Sequence, residues 1–518
     1  VPQFAKDLYA ADPDTYALVD MHRTRNWAEV DEELNRVANL VLAADLGPKR
    51  RLAIFAENAS ETALAHLGGL IGGASTVPVN FHLTAEEAEY ILADSESRVL
   101  FVDAATMERG VEAAKGAGIE TVVGWRCEHP DVTPWETWLA GGSAEDPPLD
   151  STPLPHMLYT SGTTGRPKGV ELPPTMFAGG DTIEEHLVNL GERDRRAAFA
   201  SHLVVGPMYH TGPLSGTRLL CAGLRSVILG RFDAEATIAA IDKYKSETTV
   251  MVPTHFVRML ALPDEVKAKY DVTSMKAVGH TGAKCPVDVK EAMIQWWGPV
   301  FSDSYGSTEV GVLCRIGSEE WLEHKGSVGR AVEPFTAVVL DDDLSELPAN
   351  TEGNLYFRDA TGRGIIYPND PEKTAASNPE PGLFTIGEVG YLDDDGYVFL
   401  TDRASDMVVS GGANLYPAEA EQLLIDHPQV GDVGCIGVPH PDMGEELQAL
   451  VIAEDPANPP DVAELAAWLR ERLTAMKCPR KYHVVTDLRR NTMGKINKRK
   501  LRDAWLAGDI PTLEDSTP

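Results

Sequence analysis

Two textures alternate along the chain. Short runs that are apolar at almost every position, at 51–55, 99–102, 226–229 and 248–252, read as buried strands, and apolar residues recur at helical spacing between them. A helix is expected from Ser60, and the run at 248–252 ends at Pro253. Strand and helix alternate over most of the length, which predicts an α/β fold made of layered subdomains. The stretch 140–155, AGGSAEDPPLDSTPLP, is rich in Gly, Pro and acid and reads as an exposed connection. Near residue 400 the texture changes. A helix is expected from Pro417, a favoured first helical position, followed by strands at 433–438 and 447–453, a helix at 462–473 and a strand at 482–485. This places a boundary at Arg403, between a large domain over 1–402 and a small, mobile α+β domain over 403–518. The sequence carries no internal repeat of roughly 20 to 50 residues and no low-complexity tract.

The 518 residues allow roughly two to four domains at about 150 residues each, and 43% hydrophobic with 24% charged residues is ordinary globular composition. Charge narrows the partners. Lys and Arg number 46 against 79 Asp and Glu, a net charge of -33, so the average surface repels nucleic acid and anionic lipid. Six cysteines, at Cys127, Cys221, Cys285, Cys314, Cys435 and Cys478, lie far apart without CxxC spacing, as expected of reduced thiols. The amino terminus lacks a basic start followed by an apolar core, and no run of roughly 18 or more apolar residues occurs. A cytoplasmic protein without an integral membrane segment is expected. Positive charge is concentrated at 476–502, with ten basic residues against Asp487 alone.

The most informative stretch follows the apolar approach His156-Met157-Leu158-Tyr159. It reads Thr160-Ser161-Gly162-Thr163-Thr164-Gly165-Arg166-Pro167-Lys168-Gly169. Glycines let backbone N–H groups converge on a phosphate, hydroxyls add donors and Lys168 adds charge. The spacing differs from the Walker pattern, because the lysine precedes a glycine. Further along come Ser304-Tyr305-Gly306-Ser307-Thr308-Glu309, the segment 382–390 with Asp402-Arg403, Ser410-Gly411-Gly412-Ala413-Asn414-Leu415-Tyr416-Pro417, and Gly494-Lys495-Ile496. These elements, in this order, resemble the signature motifs of the adenylate-forming superfamily, which includes acyl-CoA synthetases, adenylation domains of peptide synthetases and luciferases.

The resemblance implies an ATP-dependent acyl-CoA ligase. A carboxylic acid and ATP give acyl-AMP and pyrophosphate, and the thiol of CoA then takes the acyl group and releases AMP. A carboxylate attacking an anionic phosphate meets like-charge repulsion, so the site needs cations and aligned donors. Lys495 fits as the cation bridging carboxylate and α-phosphate, and His210, in Pro207-Met208-Tyr209-His210, fits beside the acyl carboxylate. Thr164 and Glu309 complete the expected catalytic set, with Glu309 a hard oxygen ligand suited to Mg²⁺. Nucleotide contacts are expected from the loop Thr160 to Gly165 with Lys168, from Gly282 and Ala283, and from Ser304, Gly306, Ser307 and Thr308. Tyr305 would stack on adenine, and Glu388 and Arg403 would hold the ribose, with Glu388 standing where the family usually has Asp.

Lys284 is unusual in its motif: it either faces a polar group or second carboxylate on the substrate or points to solvent. Ser405 occupies the hinge position, Ser410, Gly411 and Gly412 would line the pantetheine channel, and Lys477 and Arg480 would meet CoA phosphates. Apolar and aromatic residues between His210 and Met259, with Trp296 and Trp297, suit a hydrophobic acid: fatty, steroid side-chain or related. The alternatives are an acyl-AMP ligase loading a separate carrier protein and an aryl-acid CoA ligase. A chain ending at Pro518 favours the free-standing ligase. The expected partners are therefore a carboxylic acid, ATP and CoA, with a homodimer as an option and no nucleic acid.

Overall fold

The computed structural model describes residues 3–160, 168–172, 174–195, 199–282, 285–307, 310–341, 343–366, 371–403, 406, 408–410, 413–440, 443–473, 475, 477–490 and 496–516. Contacts gather the chain into two compact units, Val1–Gly311 with Gly317–Glu323 and Val312–Ile316 with His324–Pro518.

The first unit opens on β1 (Tyr16–Val19) and β2 (Thr24–Asn26), then builds one α/β layer twice. Strands β3 (Arg51–Phe55), β4 (Ser75–Pro78), β5 (Val99–Asp103), β6 (Thr121–Trp125) and β7 (Thr133–Pro134) form a parallel sheet in the order β4-β3-β5-β6-β7. An antiparallel hairpin follows, β8 (His156–Thr160) with β9 (Lys168–Leu172). Strands β10 (Ser201–Val204), β11 (Arg225–Ile228), β12 (Thr248–Met251), β13 (Ala277–His280) and β14 (Phe301–Ser307) then repeat the pattern in the order β11-β10-β12-β13-β14, and β1 adds alongside β11. The expected strands at 51–55, 99–102, 226–229 and 248–252 fall on β3, β5, β11 and β12 to within a residue.

Buried apolar side chains explain the layering. Every residue of the helix Ser60–Ile71 is buried, which suits a helix sandwiched between other elements. Its Gly68 and Gly69 make that approach fit, because a Cβ at Gly68 would stand 2.3 Å from Val37 and one at Gly69 2.8 Å from Thr76. Arg25, fully buried, ties β2 to two helices: Nε donates to Glu33, Nη1 to Ser60 Oγ at 2.6 Å, and Nη2 lies 3.4 Å from Glu61. The segment 140–155 is irregular as expected, yet it is strapped down. Arg36 donates to the Gly142 carbonyl, Asn35 to that of Ala144 and Asn39 to those of Ser143 and Glu145.

Histidines also sit inside this unit. His66, His202, His255 and His280 are all buried. His202 Nδ1 lies 2.8 Å from Thr248 Oγ1, and its ring fills the space a Cβ at Gly216 would need, 2.2 Å from Nε2. His255 stacks on Phe232 with ring centres 4.0 Å apart.

The second unit contains two sheets with separate cores. One pairs Phe335–Leu340, Gly353–Asp359, Glu388–Leu392 and Val398–Arg403 around Val338, Leu340 and Leu383. The other is centred on the long antiparallel pair Val430–His440 and Gly444–Ala453, with Lys481–Val485 parallel to the second of these. Helices Pro417–Leu424 and Val462–Arg470 cover one apolar cluster of that sheet and Lys498–Ala507 the other. The helix expected from Pro417 begins there. Arg403 is the last residue of the first sheet and Val408 the first of the next.

Candidate active site

In the second sheet β10, β12, β13 and β14 run parallel, with Val204 opposite Val250, Met251 opposite His280 and His280 opposite Asp303. The segments that leave these strands therefore emerge along one edge. The chain turns to β11 on one side of β10 and to β12 on the other, so this edge holds a topological switch point, the usual crevice for ligands in such sheets.

His210 stands at this edge, half-buried, as the residue before the helix Thr211–Thr217. Its N–H donates to the Pro207 carbonyl at 3.1 Å and its carbonyl accepts from Leu214 N–H at 3.0 Å. The neighbouring Tyr209 packs edge-on against Phe81, 5.2 Å between centres, and burial pushes its hydroxyl up to about 12. Asn58, at the end of β3 in the other sheet, holds this loop with its whole side-chain amide. Nδ2 donates to the Gly206 carbonyl at 2.8 Å and to that of Leu229 at 3.1 Å, and Oδ1 accepts from Met208 N–H at 2.8 Å.

At the ends of β13 and β14 the backbone carries the next expected residues. Gly282 has φ +88°, a left-handed conformation that favours glycine. Thr281 Oγ1 donates to the Ser304 carbonyl at 2.8 Å, joining the segment after β13 to β14. Ser304, Tyr305 and Ser307 are half-buried and Gly306 is exposed. Ser307 Oγ finds no hydrogen-bond partner among the described residues.

The predicted phosphate loop begins and ends on the β8–β9 hairpin, where Thr160 and Lys168 are cross-strand partners. The hairpin is anchored to the first sheet. Thr76 Oγ1 meets His156 Nδ1 at 2.8 Å, Tyr159 donates to Asp94 at 2.6 Å, and Arg51 pairs with Glu171. Ser161, Gly162, Thr163, Thr164 and Gly165 lie outside the described residues, as do Ala283, Lys284, Thr308, Glu309, Ser405, Gly411, Gly412 and Lys495.

In the second unit Glu388 and Arg403 are direct cross-strand partners, which places the two expected ribose residues side by side on the backbone. Ser410 is buried at the tip of a short hairpin, opposite Ala413. Lys477 donates to Glu419 at 2.6 Å, and Arg480 is exposed. The cationic stretch is widely paired: Arg490 with Asp432 at 2.6 Å, Lys481 with Glu446 at 2.9 Å and Lys498 with Glu421 at 3.2 Å. Its net positive charge reaches solvent much diluted.

A cavity of about 350 Å³ opens at the switch point of the first sheet, beside Asp20, Glu57, Asn58, Asp103, Arg126 and Arg231. Its charges are already engaged. Asp103 accepts from the Glu57, Ala105 and Thr106 N–H groups, Asp20 from that of Ser60, Arg231 bonds Glu57, and Arg126 bonds Glu61. The chemistry-bearing residues gather instead at the second sheet.

Comparison with known proteins bears on the same residues. Positions 6–364 match the family described as AMP-binding enzyme, and 419–495 match the AMP-binding enzyme C-terminal domain. The chain is 32% identical over 511 residues to the fatty acid–[acyl-carrier-protein] ligase ScoC of Streptomyces coeruleorubidus, covering 95% of this chain and 94% of that one. It is 31% identical over 487 residues to a feruloyl-CoA synthase of an Amycolatopsis species, covering 92% and 93%. Among solved structures, ATP-bound MatB from Rhodopseudomonas palustris aligns with a TM-score of 0.76 at 26% identity, over 97% of this chain and 98% of that one.

Proposed function

The chain belongs to the AMP-binding enzyme family of adenylate-forming acid ligases, and from that premise we propose that it activates a hydrophobic carboxylic acid as its acyl-AMP and passes the acyl group to CoA. The observation that carries the reading is the shared edge of β10, β12, β13 and β14, from which His210, Gly282 and Tyr305 emerge.

The loop 160–168 receives the triphosphate, Tyr305 and Gly282 the adenine, and Glu388 with Arg403 the ribose hydroxyls. His210 orients the acid's carboxylate toward the α-phosphorus, and Lys495 offsets the charge shared by the two anions as the new bond forms and pyrophosphate leaves. Mg²⁺ would be held by Glu309, two residues past the described end of β14, and would supply charge neutralisation on the triphosphate; one carboxylate beside substrate phosphates is a sufficient protein share for that ion. The small domain, 403–518, then reorients so that the turn at 410–412 guides the CoA thiol to the adenylate. Location in the cytoplasm is supported by six cysteines that form no disulfide. Among the described residues no helix is long and apolar enough to cross a membrane.

ATP–pyrophosphate exchange across a panel of fatty, steroid side-chain and aryl acids tests the reading, and absence of exchange with every acid would refute it. A second reading, transfer to a carrier protein, is favoured by the 32% identity to ScoC. Thioester formation from CoA alone separates the two.

A further inference from the structure

Lys290 and Asp303 form an ion pair that adenylation as described does not use. Lys290, in the helix Val287–Trp297, is fully buried, and Asp303, two residues before Tyr305, is 8% exposed. Lys290 Nζ stands 3.4 Å from Asp303 Oδ2 and 4.6 Å from the ring centre of the buried Trp321. His280 brings Nδ1 to 3.5 Å from the other Asp303 oxygen, and neither of its ring nitrogens has a hydrogen-bond partner among the described residues. Burial lowers the pKa of Lys290 and raises that of Asp303, so for both groups loss of water outweighs the partner's attraction.

Such a pair is a poor stabiliser, because well-packed apolar side chains would hold the helix on the sheet at least as firmly. What it adds is a directional contact from the helix to β14, at the residue that stands beside His280 at the end of β13. One residue further along, the bond from Thr281 to the Ser304 carbonyl ties the same two strands again. We infer that Lys290 and Asp303 are a positioning pair for nucleotide recognition, setting the loop that carries Gly282 against the end of β14 that carries Tyr305. The inference rests on the proposed nucleotide-binding role of those two segments.

The test is calorimetric binding of AMP and of inorganic pyrophosphate to the full chain and to Lys290→Met/Asp303→Leu, with melting measured alongside. The double variant is expected to melt close to wild type and bind AMP about tenfold more weakly, as a small misplacement of binding groups would cause. Its pyrophosphate affinity should be unchanged, since the phosphate loop stands on the β8–β9 hairpin. Wild-type AMP affinity in the double variant overturns the inference, as does equal weakening toward both ligands, the mark of general loosening. If that variant does not fold, Asp303→Asn, which keeps the side-chain shape, takes its place with the same expected selective loss, and unchanged AMP affinity is again fatal. A wild-type protein that binds neither ligand would instead overturn the nucleotide-site reading, and the positioning role with it.

Discussion

Mild acid should unload the first unit before any carboxylate in its usual range is protonated. Burial holds His202 and His255 down to about 4 and His66 and His280 down to about 3, against an ordinary 6.5. The folded pKa lies below the unfolded one, so the unfolded chain binds more protons from pH 6.5 downward, and stability falls with pH across that window to the folded values. At pH 5.5 roughly nine-tenths of each unfolded ring is charged and almost none of each folded ring, a loss of about 1.2 kcal/mol per histidine relative to pH 7 and about 5 kcal/mol for the four. His156, also lowered by burial, adds to this, while the raised carboxyls of Asp31 and Asp303 act in the opposite sense. Proton uptake on urea unfolding in weakly buffered solution reads the effect directly. Roughly three to four protons should be taken up at pH 5.5 and less than about one at pH 7.5. His202→Asn should reduce the uptake at pH 5.5 by about one. Uptake of under one proton at pH 5.5 would show these rings to be charged or hydrated in the folded protein and would refute the reasoning.

Asn58→Ala removes the side-chain partner of three backbone groups, two in the His210 loop and one just past β11, and should lower kcat for pyrophosphate exchange at least about tenfold while costing about 1–3 kcal/mol of stability by urea titration. Arg25→Met removes the fully buried cation between Glu33 and Glu61, leaving them only Arg23 and Arg126, and should cost about 3 kcal/mol, seen as an early unfolding transition in thermal melts. Gly216→Ala places a methyl against the His202 ring and should destabilise by about 1–3 kcal/mol, with partial recovery in Gly216→Ala/His202→Ala measured by the same melts. Glu388→Ala should raise the apparent KM for ATP about tenfold, and an unchanged KM would remove Glu388 from the ribose site.

How far the chain could be read depended on where each interaction partner lies. Strands β3, β5, β11 and β12 were legible because a strand buried on both faces is mostly apolar or β-branched, and Pro417 marked its helix by backbone chemistry alone. The loop at 160–168 stood out as a phosphate cradle, but the hairpin beneath it did not, since its second strand mixes Lys168, Gly169 and Glu171 with only two apolar residues. Asn58 was invisible for a plainer reason: the carbonyls it holds lie 148 and 171 positions away. Lys290 was equally silent, because a lysine in a helix of mixed residues reads as solvent-facing until a carboxylate 13 positions on is found beneath it. The two matching strand orders escaped the search for repeats, as shared topology needs no shared sequence.

That doubled topology implies a division of labour. A layer with a switch point offers a crevice, and this molecule has two of them, built alike. In the first, Asp20 takes the first N–H of the helix Ser60–Ile71 and Asp103 those of Ala105 and Thr106, groups that would otherwise face an anion, and Asn58 reaches out of the crevice to grip the loop of the second. One copy of the architecture thus serves as the vise in which the other is held. Substitutions at the first crevice should therefore register as misaligned chemistry at the second, without any ligand having lost a contact.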